Sequence, residues 1–194
     1  ITDVACYWIK ECDIDGWRLD VGDEISHFFW KNFRKAIKAV KKDMLIIGEI
    51  WHYAGDFLEG DEWDTVMNYP FYLNLIDLLA DEKINVSQFV QNLGYLKGRL
   101  NKKCYPLMWN LIDSHDTARF LHLCHDNKKK QHLAAAFQLL LPGMPMVYYG
   151  DEYAMPGAND PDCRRGMYWD EEYQDKEMYN LSLIHISEPT RPRL

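Results

Sequence analysis

Three acidic residues come at or just after short apolar runs, where their side chains could carry out hydrolytic chemistry. They are Asp20, Glu49 and Asp116. Retaining hydrolysis of a glycosidic bond requires two carboxyl groups about 5 to 5.5 Å apart, one as nucleophile and one as acid/base. Adjacent parallel strands can place two such residues at that separation, so the sequence predicts that Asp20 and Glu49 form the pair.

Two basic residues are predicted to support these acids. Arg18 precedes Asp20 by two residues, so both side chains share one face of a strand, where the guanidinium stabilises the carboxylate. His115 adjoins Asp116, and this pair could hydrogen-bond sugar hydroxyls more strongly as an oxocarbenium-like state forms. The set of residue types therefore suits glycosidic bond cleavage.

Each acid also has a simpler interpretation. An aspartate at the end of a strand is more often a turn or capping residue than a nucleophile. Glu49 could cap the loop that follows it. His115 and Asp116 could form a surface turn or half of a metal site, although the sequence contains no third ligand at zinc spacing.

The elements that would position these residues alternate between helix and strand. Amphipathic helical spacing is found near residues 4–12, 29–40, 86–100 and 128–141, and the first helix follows a capping signal at Thr2 and Asp3. A final helix is predicted over 171–181. The strand-like apolar runs are Gly16–Val21, Met44–Gly48, Thr65–Tyr69, Leu107–Ile112 and Met144–Tyr149.

This alternation indicates an α/β fold with a parallel sheet covered by helices. Reactive residues at the carboxyl ends of strands favour a (β/α)8 barrel, with a doubly wound sheet as the alternative. Five strands cannot close an eight-stranded barrel. Residues 1–181 are therefore predicted to form the C-terminal part of a TIM barrel, about strands 4 to 8 with their helices. Residues 182–194 contain two prolines and are predicted to be a non-native tail.

Composition and charge limit the kinds of molecule and the cell compartments that the sequence predicts for this protein. The 194 residues carry a net charge of −8 with no basic stripe, which excludes nucleic acid. No apolar run approaches the roughly 20 residues that span a bilayer. The five cysteines are odd in number and scattered, so reduced thiols and a cytoplasmic location are predicted. Secretion stays open as an alternative because the chain begins at Ile1 without an initiator methionine.

Three segments, in order along the chain, resemble signature segments of the α-amylase superfamily, glycoside hydrolase family 13. They are Gly16–Val21, Gly48–His52 and Ser114–Thr117. Val66–Pro70 and Gly150–Tyr153, together with Asn159–Arg165, are most similar to the neopullulanase, cyclomaltodextrinase and maltogenic amylase branch. The resemblance runs over roughly residues 1 to 181.

The resemblance implies that Asp20 is the nucleophile, Glu49 the general acid/base and Asp116 the transition-state stabiliser. The residues expected to bind substrate are Arg18, His115, Trp51 and Arg164. The implied reaction is retaining hydrolysis of α-1,4 bonds, with α-1,6 bonds also considered, in starch-derived oligosaccharides, cyclodextrins or pullulan. No cofactor and no metal ligand is expected from the sequence; calcium is common in the superfamily and stays open.

The sequence departs from the family pattern at several points. Asp23 stands where that branch often has asparagine, and the family's first signature segment has no counterpart. The family's dimerising domain and C-terminal β domain also have no counterpart here, and the resemblance implies a homodimer for the full-length protein. A barrel without its first strands leaves sheet edges and apolar faces uncovered, so this fragment alone is expected to be insoluble or inactive. A non-catalytic barrel homologue that binds a protein partner, like the ectodomains of amino-acid transporter heavy chains, is the alternative. Such relatives typically lose the carboxylates.

Several aromatic and basic residues have two interpretations. Aromatic rings could stack on sugars, although core packing is the favoured prediction for each of the candidates Trp51, Tyr53, Tyr69, Phe71 and Trp169. For Arg164 and Arg165, we predict that one is structural, paired with Asp160 or Asp162, and that the other lies near substrate.

Overall fold

A computed structural model describes residues 1–183 of the chain. These residues form two compact units. The first consists of Ile1–Pro70 and Leu93–Trp109, and the second of Phe71–Asn92 and the residues from Asn110 on. From residue 184 onward, the predicted non-native tail lies outside the described residues.

Helices and strands alternate along most of the chain, as the sequence predicts. The α-helices are α1 (Thr2–Cys12), α2 (His27–Val40), α3 (Tyr69–Leu75), α4 (Val86–Arg99), α5 (Phe120–Leu123), α6 (Lys128–Leu140) and α7 (Lys176–Ser182). The strands are β1 (Gly16–Leu19), β2 (Leu45–Gly48), β3 (Thr65–Val66), β4 (Trp109–Asn110) and β5 (Met144–Pro145). A turn of π-helix, Ile76–Ala80, continues α3.

The sheet of the first unit is parallel and has the order β1–β2–β3. Its register places Leu19 beside Gly48 and Gly48 beside Val66. Consecutive strands are therefore neighbours, each reached through a connection that returns the chain to the same end of the sheet. Strands β4 and β5 form a separate two-stranded sheet. All five predicted strands are present.

The strands are shorter than predicted: β4 and β5 each keep two of six predicted residues, and β3 keeps two of five. The prediction of a strand over Thr65–Tyr69 is wrong beyond Val66, because Met67 makes only an isolated bridge to Trp109 and α3 begins at Tyr69. Sequence periodicity misses this change because the residues on both sides of it are buried. A continuous apolar run does not distinguish a buried strand from the first turn of a buried helix.

Helices α1 and α2 pack together in the first unit. Helix α2 begins after Ser26, whose hydroxyl accepts a hydrogen bond from the Phe29 amide, and it buries Trp30, Phe33 and Ile37 at spacings of three and four. For α1, the predicted Thr2 and Asp3 capping signal is wrong. The helix already includes Thr2, and its capping residue is Ile1, which makes no side-chain capping bond.

The end of the described chain also differs from the prediction. Only a single 3₁₀ turn forms at Glu171–Tyr173, and the helix begins five residues later than predicted, at Lys176. The physical reason is a cap, because the Asp175 carboxylate accepts a hydrogen bond from the Met178 amide at 2.9 Å. All five cysteines are free thiols. Within residues 1–183, every helix is too short or too polar to cross a bilayer.

Glycine at the end of β2 allows a tryptophan to cover the strand ends. A Cβ atom on Gly48 would lie 2.2 Å from the Trp63 ring, and one on Gly22 would lie 2.7 Å from the same ring. Trp30 fixes this region further by donating from its indole nitrogen to the Gly22 carbonyl at 2.7 Å. The buried Trp63 indole thus packs directly on the backbone that precedes Glu49.

This packing gives a stability prediction. Gly48→Ala should destabilise the complete protein by about 1 to 3 kcal/mol, because the added methyl group forces Trp63 out of a filled core. The matched control is Gly94→Ala in α4, where a Cβ atom would have nothing within 4 Å. The control should stabilise the helix by about 0.4 to 1 kcal/mol. Urea unfolding midpoints measure both changes, and equal midpoints would contradict the packing argument.

Candidate active site

Asp20 and Glu49 leave the first sheet at the same end. Each directly follows one of the paired residues Leu19 and Gly48 of the parallel strands β1 and β2. Backbone bonds continue the alignment beyond the strands, since the Glu49 amide donates to the Leu19 carbonyl at 2.9 Å and the Gly22 amide donates to the Glu49 carbonyl at 3.2 Å. The predicted placement of the two acids on adjacent parallel strands is confirmed.

One guanidinium holds both carboxylates. The Nη1 atom of Arg18 forms an ion pair with the Asp20 Oδ1 atom, and its Nη2 atom lies 3.0 Å from Glu49 Oε2. The planar guanidinium has a rigid fork of donors, so it fixes the direction of the two acids as well as their charge. The structure therefore brings Arg18, Asp20 and Glu49 together as predicted.

The two acids have different surroundings. The Asp20 side chain is 74% exposed, whereas that of Glu49 is 5% exposed. Glu49 is also anchored twice more, because Oε2 accepts from the Val21 amide at 2.9 Å and Oε1 accepts from the Trp51 indole at 3.3 Å. Asp20 is thus open to an incoming molecule, while Glu49 is held in place by protein donors.

The Val21 amide reaches Glu49 through an unusual backbone conformation. Val21 has φ 45° and ψ 45°, in the left-handed region. For a β-branched residue this region is a true outlier, with a cost of order 1 to 3 kcal/mol. The strain lies directly between Asp20 and Gly22, at the point where the chain turns after β1. Sequence reasoning missed this feature, because nothing about a valine marks it for a positive φ.

Trp51 hydrogen-bonds Glu49 and keeps part of its ring exposed to solvent. Its ring stacks on that of Tyr69, with centroids 4.0 Å apart and planes 13° apart, yet the residue stays 41% exposed. The core-packing prediction is confirmed for Tyr69 and for Phe71, both of which are buried. For Trp51 that prediction is wrong, since the ring is only partly covered and its indole nitrogen bonds Glu49. Tyr53 is partly buried beneath the Arg99 guanidinium.

Trp169 also departs from the core-packing prediction. It is 81% exposed and lines a concavity of about 470 Å³ together with Met167, Tyr168, Asp170 and Tyr173. The rings of Tyr168 and Tyr173 lie 5.7 Å apart there. The described part of the second unit leaves this ring uncovered, so packing in the core does not account for it.

The second unit brings together the remaining predicted site residues. His115 Nε2 lies 3.0 Å from Asp116 Oδ2, and the Nη2 atom of Arg164 lies 3.3 Å from Asp116 Oδ1. Arg164 also donates from Nε to the His115 carbonyl at 2.9 Å. Each carboxylate oxygen of Asp116 therefore has a basic partner, and Arg164 fixes both the backbone and the side chain of this segment.

The neighbouring arginine has a different role. Arg165 lies 2.6 Å from Asp162, and this bond, helped by one from the Ala158 amide, lowers the pKa of the Asp162 carboxyl. Arg164 also pairs with Asp160 at 3.0 Å. Both arginines therefore pair with an aspartate of their own loop, and Arg164 also reaches the Asp116 segment. That one of them lies near substrate stays a prediction.

Two features of the functional segments were not found from the sequence. His52 Nε2 lies 3.0 Å from Asp23 Oδ2, which ties the segment after β2 to the segment after β1. In the second unit, Asp113 and Asp151 are both completely buried with Arg119. The sequence analysis assigned no contact to any of these residues, and only the folded chain brings them together. Among residues 1–183, no group of three or more His, Cys, Asp or Glu side chains is placed to hold a metal ion.

Comparison with known proteins identifies a family match over nearly the whole chain. Residues 1–188 match the α-amylase catalytic domain. The chain is 48% identical to a cyclomaltodextrinase of Thermoanaerobacter pseudethanolicus over 93% of its length and 32% of that protein. It is 45% identical to neopullulanase 2 of Thermoactinomyces vulgaris over 93% and 31%. An intracellular maltogenic amylase of Bacillus subtilis is 44% identical over 92% and 30%.

Solved structures give the same result. The structure is similar to that of a cyclic α-maltosyl-(1→6)-maltose hydrolase from Arthrobacter globiformis, in complex with that compound, with a TM-score of 0.92 and 37% identity. The match covers 96% of this chain and 42% of the other. The chain spans about a third of the length of the curated relatives that it matches.

Proposed function

Because this chain belongs to the α-amylase family, we propose that the complete protein is a retaining glycoside hydrolase of starch-derived α-glucans. The family and the branch predicted from the sequence motifs are confirmed by the cyclomaltodextrinase, maltogenic amylase and neopullulanase relatives. The observation that carries the proposal is the pair of carboxylates that one guanidinium holds at the end of two adjacent parallel strands.

In this proposal Asp20 attacks the anomeric carbon and forms a covalent glycosyl ester, while Glu49 donates a proton to the departing oxygen. Glu49 then removes a proton from water, which hydrolyses the ester and frees Asp20. The exposure of Asp20 supports its role as nucleophile, because the carboxylate is open to a sugar. The two hydrogen bonds and the ion pair around Glu49 support a fixed position for proton transfer in both steps.

The other predicted residues have binding roles in the proposal. Asp116 stabilises the transition state, and His115 and Arg164 orient it through their contacts to its two oxygens. Trp51 offers an aromatic face for a sugar ring while its indole nitrogen holds Glu49. The open ring of Trp169 is suited to the same kind of stacking on an α-glucan chain.

The architecture proposed is a partial (β/α)8 barrel in which the five strands correspond to about strands 4 to 8. The parallel sheet β1–β2–β3 and the similarity to α-amylase family structures support it. The substrates proposed are α-1,4-linked oligosaccharides and cyclodextrins, with α-1,6 bonds included because of the A. globiformis relative. Since about two thirds of the length of the relatives lies outside the chain, the 194-residue chain by itself is expected to be inactive.

Location and assembly follow as further parts of the proposal. A cytoplasmic location is supported by the five free thiols and by the intracellular B. subtilis relative. A homodimer of the full-length protein remains an expectation from the family resemblance, as does the absence of a required cofactor, with calcium left open. A non-catalytic homologue that binds a protein partner is less well supported, because all three candidate catalytic carboxylates are retained.

The nucleophile is tested by Asp20→Asn in the complete enzyme. The amide cannot form the glycosyl ester, so turnover of maltooligosaccharides should fall by at least about a thousandfold while binding stays measurable by calorimetry. The control is Asp43→Asn, an exposed aspartate in the turn before β2, which should keep full activity. Full turnover by Asp20→Asn would exclude the assignment, and an inactive wild-type enzyme that binds a protein partner would favour the non-catalytic alternative.

The shared guanidinium is tested by Arg18→Lys. An ammonium group cannot reproduce the planar fork that reaches both carboxylates, so kcat should fall about 10- to 100-fold even though the positive charge is kept. The matched control is Arg34→Lys in the same unit, where Arg34 pairs with Asp64 at 2.7 Å, apart from the two acids. Steady-state kinetics should show nearly unchanged turnover for the control. Equal kinetics for both variants would show that the fork geometry is unimportant.

A further inference from the structure

Two carboxyl groups and one guanidinium are buried together in the second unit. Asp113 is 0% exposed, Asp151 2% and Arg119 1%. Arg119 Nη1 lies 3.2 Å from Asp151 Oδ1, and the Phe120 amide donates to Asp113 Oδ2 at 2.8 Å. The proposed reaction mechanism does not use any of these three residues.

The hydrogen bonds leave one oxygen of each carboxyl group without a donor. Asp113 Oδ1 and Asp151 Oδ2 are buried and have no hydrogen-bond partner among the described residues, and the two carboxyl groups are near enough for each to affect the pKa of the other. Carboxylates are acceptors only, so these two acids can satisfy each other only if one of them carries a proton. Two buried negative charges beside a single positive charge would also be costly, whereas a single proton leaves the group neutral.

The charge balance agrees with this geometry. Burial raises the pKa of Asp113. For Asp151, burial and then the neighbouring Asp113 charge raise the pKa well above its usual range, against the opposing effect of Arg119. The two carboxyl groups therefore titrate as a pair and retain one proton at a pH where exposed aspartates have lost theirs.

Hydrogen bonds connect this pair to the segment that carries Asp116. Arg119 donates from Nε to the Cys163 carbonyl at 3.2 Å and from its amide to the Gly157 carbonyl at 2.9 Å. The Cys163 thiol lies 3.4 Å from the His115 carbonyl, which also accepts from Arg164. The pair and Arg119 thus join the segment around His115 to the loop that supplies Arg164.

We propose that Asp113 and Asp151 share one proton beside Arg119, and that this neutral cluster positions His115 and Asp116 against Arg164. Loss of the proton leaves an uncompensated buried charge and loosens the two segments at alkaline pH. Asp113 and Asp151 are positioning residues in this arrangement, since neither touches the reacting atoms. Only the kinetic consequence rests on the proposed hydrolase function.

Other ionisable side chains surround the cluster. Tyr72 of α3 lies near Asp113, and burial raises its pKa to about 12. Burial also raises the pKa of Tyr148, whose ring packs with that of Tyr149 against Arg119. Cys163 adjoins the cluster through its carbonyl, and Glu152 accepts from the Gly150 amide at 2.7 Å. Arginine side chains are not deprotonated in proteins.

The sign of the pH dependence follows from proton counting. An unfolded chain loses aspartate protons near pH 4, whereas the folded pair keeps one. Above about pH 4 the folded state binds more protons than the unfolded chain, so the free energy of unfolding falls as the pH rises. The fall ends at the pH where the pair loses its proton. The unfolding equilibrium constant should rise about tenfold per pH unit from this source.

The first test is spectroscopic and needs no activity. Infrared difference spectra of the complete protein at pH 7, wild type minus Asp113→Asn, should contain the C=O band of a protonated carboxyl group that shifts in D₂O. The control Asp126→Asn, an exposed aspartate of the same unit, should give no such band. Asp151→Asn serves as a second variant if Asp113→Asn fails to fold. Absence of the band in the wild type would overturn the proposal.

The second test compares stability across pH. The side-chain amide introduced by Asp113→Asn can donate to Asp151 without a titrating proton. The unfolding equilibrium constant of the wild type, divided by that of Asp113→Asn, should therefore rise about tenfold per pH unit from pH 5 to 7. Asp126→Asn should follow the wild type. A ratio that is independent of pH would contradict the shared proton.

The third test measures positioning. On maltooligosaccharides, the alkaline limb of the kcat/KM profile should move to higher pH in Asp113→Asn and stay in place in Asp126→Asn. Asp113→Ala, which removes the hydrogen bond, should lower kcat at every pH. Identical profiles for wild type and Asp113→Asn would show that the pair does not position Asp116. An inactive wild type with the infrared band present would refute the proposed hydrolase function and leave the shared proton intact.

Discussion

The candidate site depends on the ion pairs that Arg18 makes with Asp20 and Glu49. Two carboxylates that approach closely repel each other, and a cation between them removes that repulsion. A guanidinium is rigid and planar, and the two terminal nitrogens of Arg18 each pair with a different carboxylate. The charge of the site and the direction of its acids are therefore set by the same side chain.

That interaction requires the backbone to be aligned to within a residue. Arg18 lies in β1, and Asp20 follows the end of that strand, while Glu49 comes from the next strand in a register that pairs Leu19 with Gly48. A shift of one residue would turn Glu49 to the opposite face of the sheet. The Trp63 ring, packed on Gly48, resists such a shift because no larger residue fits beneath it. Core packing and site geometry thus constrain the same four residues of β2.

The sequence was sufficient to predict that Asp20 and Glu49 follow two adjacent parallel strands, since this placement rests on strand periodicity and on a parallel order of elements. What it could not predict are features made by contacts distant along the chain. Val21 has a left-handed conformation, and its amide donates a hydrogen bond to the carboxylate of Glu49, 28 positions later. The burial of Asp113 and Asp151 around Arg119 likewise brings together residues from separate loops. The exposure of Trp169 depends on which residues pack around its loop. The apolar character of a tryptophan does not predict whether its ring is covered.

The acids of this chain show how burial assigns different tasks to the same functional group. Asp20 is open to solvent and forms an ion pair with a guanidinium. Asp113 and Asp151 are sealed from water and must share one proton to coexist with a single arginine. An exposed carboxylate suits attack on an incoming molecule, whereas a neutral buried pair suits the rigid support of neighbouring loops. Exposure to water thus distinguishes the candidate nucleophile Asp20 from Asp113 and Asp151, which are buried and support the neighbouring loops.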